Sequence, residues 1–250
     1  MQKQLIKYVQ RLGDNALILG QRLGEWCGHG PVLEQDIALT NIALDTLGQA
    51  RLYFQYVAEL KGENQTEDDV AFLREEREYT NLLLLEQKNK DWAYTLVRQF
   101  LFDVFSFHNL KGLLESSDST LKAIAARAIK EVKYHKKFSS EWMIRLGDGT
   151  DVSHKKVQTA LNDLWIFTGE MFKPTEDEDL VAKMGIGTSC EEIQPLWDLE
   201  VNEILAEATL QRPDDTFMRY GGKKGQHSEL MGFILADLQY MQRTYPGLQW

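Results

Sequence analysis

The sequence predicts an all-α protein built on a four-helix bundle, and three observations carry that expectation. Apolar residues recur at steps of three and four over several long stretches, the period of an amphipathic helix. The 18 glycines and 5 prolines together fall below the usual share of roughly 12%. No segment shows the apolar–polar alternation of a half-buried strand.

The elements follow in order. Leu5, Val9, Leu12, Ala16, Leu19 and Leu23 share one face, which predicts a helix over 3–25, stopped by the breaker Gly28-His29-Gly30-Pro31. Residues 34–61 are apolar on nearly every side (Ile37, Leu39, Ile42, Leu44, Leu47, Leu52, Phe54, Val57, Leu60), so this helix is expected to be the most buried of all. A polar loop over 62–68 and a short helix over 69–78 come next. Asn81-Leu82-Leu83-Leu84-Leu85 is too apolar for a free linker and too aperiodic for a helix, so packed irregular chain is expected there. Asp91 can cap a helix over 92–115 with the stripe Leu96, Gln99, Asp103, Phe107, Leu110 and Leu114. Asp118 or Ser119 can cap the following helix, 120–146, whose seam runs Leu121, Ala125, Ala128, Val132, His135, Ser139, Trp142 and Leu146. Gly147-Asp148-Gly149 ends it.

Beyond that point a helix over 153–172 is expected, then a solvated acidic loop from Glu176 to Asp179. Ser189-Cys190-Glu191-Glu192 has capping-box spacing and opens a helix to about 209. A loop over 211–225 precedes the last helix, 226–243. The whole chain, 1–250, is expected as a single domain in which 151–250 adds helices to a four-helix core over 1–147.

With 250 residues, 43% of them hydrophobic, the chain can bury roughly 70–75% of its unfolded surface. Its net charge of −10 argues against a nucleic-acid or anionic-membrane binder, because neutralising phosphate needs clustered Lys and Arg. No run reaches the ~20 apolar residues of a membrane span, and Met1 to Lys7 lacks the basic-then-apolar order of a signal peptide, so a cytoplasmic location is expected. Cys27 and Cys190 have no metal-ligand spacing and are expected as small buried hydrophobes.

Helical bundles with polar residues on their inward seams can house a di-iron carboxylate centre. Such a centre takes one Glu from each of two helices and a Glu-x-x-His pair from each of the other two, because i and i+3 share a face. The residues three before His29, His108, His135, His154 and His227 are Trp26, Phe105, Val132, Asp151 and Lys224, so no Glu-x-x-His exists in this chain. Asp151 stands where a loop enters a helix and reads as an N-cap. Glu131 and His135, four apart, could hold a single ion or pair with each other. Asp45 and Asp103 sit among apolar residues and need partners, for which Arg51, Arg98 and His135 are available. Ion pairs or hydrogen-bond networks are expected there ahead of a metal; if any metal binds, Asp45, Asp103, Glu131 and His135 are the candidates. Gly221-Gly222-Lys223-Lys224-Gly225, before the last helix, could receive an anion through Lys223 and Lys224, or be an exposed turn.

Several strings, Arg22-Leu23-Gly24-Glu25-Trp26-Cys27-Gly28-His29, Leu47-Gly48-Gln49-Ala50-Arg51, Lys130-Glu131-Val132-Lys133-Tyr134-His135, Gly147-Asp148-Gly149-Thr150-Asp151 and Gly221-Gly222-Lys223-Lys224-Gly225-Gln226-His227, resemble the C subunits of bacterial multicomponent phenylacetyl-CoA epoxidases, the ring-1,2-epoxidases. The likeness runs to the terminal Pro246-Gly247-Leu248-Gln249-Trp250. It implies a ferritin-like fold and a structural, non-catalytic role beside a catalytic A subunit of the same fold, which holds the di-iron site. A reductase and a B subunit would complete the complex in aerobic phenylacetate breakdown, and self-association into a homo-oligomer is expected as well. The resemblance implies no cofactor in this chain. Carried over by position, the sister subunit's second Glu-x-x-His falls on Val132 and His135. Anchored on Gly48, the first falls on Thr46 and Gln49. Two other readings stay open: an oxygenase in its own right using Asp45, Asp103, Glu131 and His135, and a CoA-ester binding module working through Lys223 and Lys224.

Overall fold

The computed structural model describes residues 2–62 and 64–247, and every regular element among them is helical, as expected. Of the terminal string, Leu248, Gln249 and Trp250 lie outside the described residues. The order is α1 (Gln2–Gly24), α2 (Leu33–Lys61), α3 (Glu67–Phe72), a 3-10 turn at Glu76–Glu78, α4 (Leu83–Glu86), α5 (Trp92–Leu113), α6 (Ser119–Gly147), α7 (Asp151–Trp165), α8 (Gly169–Phe172), α9 (Glu176–Lys183), α10 (Cys190–Glu207), a 3-10 turn at Gly222–Lys224, and α11 (Glu229–Thr244). The chain divides into two compact units, Met1–Lys88 with Gly221–Trp250, and Asn89–Tyr220. Each unit carries one long antiparallel helix pair, α1 with α2 in the first and α5 with α6 in the second.

In the first unit α1 and α2 run antiparallel: Gln2 Nε2 donates to the Leu60 carbonyl at 2.6 Å, Gly13 faces Phe54, and Gly20 faces Leu47. A Cβ at Gly13 or Gly20 would come within 2.5 or 2.8 Å of those side chains, so the two glycines let the helices approach closely. Asp14, fully buried on α1, pairs with Arg74. A second Arg74 nitrogen reaches the same carboxylate at 3.2 Å, and the Thr80 amide donates to it at 2.8 Å. The guanidinium lies 4.0 Å from the centre of the Tyr79 ring. α11 closes this group, since Gln239 Nε2 donates to the Arg74 carbonyl at 2.8 Å and to the Tyr79 hydroxyl at 2.9 Å.

In the second unit α5 and α6 are antiparallel, with Trp92 against Trp142 at one end and Asp103 against Ser139 further along. α10 crosses them: Trp197, 1% exposed, donates its indole N–H to the Leu101 carbonyl at 2.9 Å. Trp165, Phe172 and Phe105 extend this aromatic core with ring centres 5.1 to 5.9 Å apart. α7 ties to the start of α5 through Lys90–Asp163 at 3.0 Å and Lys156–Asp91 at 3.7 Å.

Several expectations are corrected. α2 is not the most buried helix: 11 of its 29 residues are buried, against 16 of 22 in α5. Apolar residues lie on both flanks of α2, but within this chain Leu33, Ile37 and Leu44 remain exposed. The helix expected over 69–78 starts earlier, at the Thr66–Asp69 capping box, and stops at Phe72. The leucine run closes into the one-turn helix α4, and the stretch over 153–172 is broken between Trp165 and Gly169. The acidic segment from Glu176 is helix, not loop: Thr175 and Glu178 form a capping box, and four acids occupy the first turn, where the helix dipole favours them. Thr150, rather than Asp151, caps α7. Cys27 is exposed and Cys190 buried. Asp91 and Asp118 cap their helices as expected, and Ser189 caps α10 through the Glu191 amide rather than through a capping box with Glu192.

Asp14→Ala leaves the Arg74 guanidinium buried without its carboxylate and is expected to cost about 3–5 kcal/mol in urea unfolding. An unchanged midpoint would show that the pair contributes little.

Candidate functional site

The positions carried over from the sister subunit do not form a di-iron site. Val132 on α6 is buried and offers no donor atom. Thr46 on α2 is buried, with its hydroxyl donating to the Ile42 carbonyl of its own helix at 2.6 Å. Gln49 and His135 are buried and uncharged or weakly basic, so the four positions supply no bridging carboxylate. The residues present do not fit a pair of metal ions. Among the described residues, no group of three or more His, Cys, Asp or Glu is placed to hold a metal ion.

The candidates for a single ion are not brought together as one carboxylate-rich centre. Asp45 is half-buried rather than buried, and Glu131 lies 3.9 Å from Arg127 at the exposed side of α6. Arg51, offered as a partner for Asp45, instead meets Glu67 at 3.2 Å. Arg98 donates to Asn89 Oδ1 at 2.6 Å.

Asp103 is where the second unit concentrates its polar chemistry. Gln99 Nε2 donates to its Oδ1 at 2.7 Å, and Ser139 Oγ lies 2.8 Å from its Oδ2 and 3.2 Å from the Lys136 carbonyl. The expected network is therefore built from hydrogen bonds to neutral groups, not from Arg98 or His135. Burial pushes the Asp103 carboxyl up to about 8, against the pull of Ser139, Gln99 and Lys136. At neutral pH the group holds its proton and can pass a hydrogen bond through Ser139 to the Lys136 carbonyl. The nearest cation is engaged elsewhere: Lys136 Nζ pairs with Glu200 on α10, and His108 Nε2 meets the other Glu200 oxygen at 2.9 Å. Burial would raise Glu200, but His108 and Lys136 outweigh it and hold the carboxylate below its ordinary range.

The first unit contains a second cluster, around Glu86. Its carboxylate accepts from Asn81 Nδ2 at 3.0 Å, from the Ser228 amide at 2.9 Å and from the Ser228 hydroxyl at 2.6 Å, and it faces His227 Nδ1 at 2.6 Å. The other ring nitrogen, Nε2, lies 2.9 Å from the Tyr79 carbonyl. Both nitrogens thus face acceptors, which favours the doubly protonated ring. Burial alone would lower His227, but Glu86, the Tyr79 carbonyl and the more distant Glu76 raise it. Ser228 donates to Glu86 and not to His227, so the trio does not activate a nucleophile. The sequence offers one sign of this cluster, a lone acid closing an apolar run. Its partners stand 141 and 142 residues away.

The glycine–lysine segment before α11 is not the exposed turn considered above. Gly221, Gly222, Lys223 and Gly225 are buried, Lys224 is exposed, and the Lys223 carbonyl accepts from Arg11 Nη2 at 3.4 Å. Gly225 takes the left-handed conformation, φ 71°, and a Cβ there would run into the Arg77 carbonyl, so only glycine fits.

The family model described as phenylacetic acid catabolic protein matches residues 1–250. The chain belongs to this family. It is similar to the C subunit of the 1,2-phenylacetyl-CoA epoxidase of Escherichia coli (strain K12), with 50% identity over 247 residues covering 99% of each chain. The resemblance read from the five strings is thereby shown along the length of the chain. Among the described residues, no helix is long and apolar enough to cross a membrane.

Asp103 and His227 both make stability fall as pH rises above neutral. The Asp103 proton is held in the folded state up to about 8 and released from 3.8 in the unfolded chain, so folding stability falls with rising pH across that window. His227 is raised above 6.5, so its contribution is complete below 6.5 and is lost as pH rises through the higher folded value. Denaturant unfolding is expected to show greater stability at pH 6 than at pH 8.5. Asp103→Asn, which keeps both hydrogen bonds and removes the ionisation, should flatten the slope by up to ~1.4 kcal/mol per pH unit. An equally steep slope in the variant would show that Asp103 does not titrate there.

Proposed function

We propose that this chain is the non-catalytic structural subunit of a multicomponent phenylacetyl-CoA epoxidase, working in the cytoplasm beside a catalytic sister subunit. The observation that carries the reading is the end-to-end likeness to an epoxidase C subunit, combined with a valine and a threonine where ligands would have to stand. In this reading the sister subunit holds the di-iron centre, which supplies oxygen activation for epoxidising the aromatic ring, while this chain carries no cofactor. Its contribution is mechanical: a stable helical surface against which the catalytic subunit keeps its shape. A reductase and a B subunit would complete the assembly.

The geometry lends less support to an independent oxygenase. Asp103, the most buried of the candidate carboxylates, is neutral at pH 7 and has both oxygens engaged, and a protonated carboxyl is a poor metal ligand. The CoA-ester reading rests on Lys223 and Lys224, of which Lys223 is buried.

Co-expression with the catalytic subunit tests the proposal. The two chains are expected to co-purify, the isolated chain to hold less than stoichiometric iron, and ring epoxidation to need the sister subunit. Two tightly bound irons per isolated chain, or turnover by this chain with a reductase alone, would overturn it.

A further inference from the structure

α2 presents an outward face that this chain leaves uncovered. Leu33, Ile37 and Leu44 are 71%, 51% and 62% exposed. With Gly48 they fall within a sector roughly 60° wide on the helix surface. Single exposed leucines are ordinary, but an apolar ridge along one helix face marks an interaction surface.

Gly48 adds an independent observation. It stands in the middle of a long helix, where glycine is a poorer helix former than alanine, and a Cβ there would meet nothing within 4 Å. Nothing inside this chain calls for glycine at that position. A notch without a side chain, one turn beyond Leu44, is what the backbone of a second helix needs for close approach.

The rim decides the occupant. From Leu33 to Arg51, α2 carries Glu34, Asp36 and Asp45 against a single cation, Arg51, which lies in the same sector and is paired with Glu67 at 3.2 Å, on a chain of net charge −10. Two copies docked through this face would set acidic rims against each other, whereas a partner whose own apolar ridge is flanked by cations would be drawn to it. We infer that the Leu33, Ile37, Leu44 and Gly48 face of α2 is the docking ridge for a helix of the catalytic sister subunit, an apolar helix flanked by lysine or arginine. This rests on the structural-subunit reading above and names the surface it would use.

Ile37→Glu, Leu44→Glu and Gly48→Leu test the ridge, with affinity for the purified sister subunit measured by calorimetry and each variant melted alone. All three positions are exposed, so the two glutamate variants are expected to melt close to the wild-type temperature and Gly48→Leu above it. Affinity should fall by roughly 30-fold or more in each. Leu199→Glu, at a 60% exposed leucine on α10, should bind like the wild type. Binding of the wild type should also weaken with added salt. Wild-type affinity in all three ridge variants would sink the ridge while leaving the structural-partner reading intact; failure of the wild-type chain to bind would sink both. A wild-type dimer in sedimentation that Leu44→Glu converts to a monomer would assign the face to a second copy instead.

Discussion

Glu86 is the constraint on which the first unit depends. A fully buried carboxylate is tolerated only when donors surround it, and here most of them come from residues 227 and 228, far along the chain. The return of the C-terminal segment is thus dictated by the need to satisfy one acid placed at the end of a leucine run. The consequences spread outward. Ser228, while donating to Glu86, accepts from the Leu230 amide and so sets where α11 begins. α11 then delivers Gln239 to the Arg74 carbonyl and the Tyr79 hydroxyl, against the buried Asp14–Arg74 pair. From the other side, Arg22 on α1 grips the Glu86 carbonyl with two nitrogens, at 2.7 and 3.1 Å.

The second unit solves a related problem in the opposite way. A carboxyl inside a helical core must acquire either a cation or a proton. Lys136 and His108 both serve Glu200, which lies nearer solvent, and Asp103 is left with two neutral partners and burial on all sides. It keeps its proton. The inward polar seam on α5 and α6 that invites a metal-site reading is therefore explained by hydrogen bonding alone, with Ser139 linking the carboxyl to the backbone of its own helix. Valine at 132 fits this arrangement: it fills core space where a further acid would need a compensating partner of its own.

What the sequence discloses divides along the range of the interaction. Caps are local, and Asp91, Asp118 and Ser189 announce their helices from a few residues' distance. Local rules err where two of them compete. Asp151 and Thr150 can both begin α7, and the structure uses the threonine because Ser153 can answer it reciprocally. Thr175 and Glu178 form the same kind of box as would be read at Ser189, but the run of acids around them suggests solvated loop instead. Asp103 announces itself as a polar residue on an apolar stripe. Its partners, one turn along α5 and across on α6, depend on which helices pair and in what register. The Glu86 cluster lies furthest from legibility, since nothing near residue 86 points to residue 227.

α2 shows what apolar periodicity does and does not contain. Leucine and isoleucine on every side of a helix state that every side is to be buried; they do not state by which chain. Taken as a property of one polypeptide, the pattern places α2 at the centre of the molecule, and the structure contradicts that by leaving three large side chains in solvent. Taken as a property of an assembly, the same pattern is satisfied once a partner covers the outer face. The glycine separates the two possibilities on physical grounds, because an intrachain packing role would leave a neighbour close to its missing Cβ, and there is none within 4 Å. The apparent error about burial is then information about association, carried by the helix whose two faces the sequence does not distinguish.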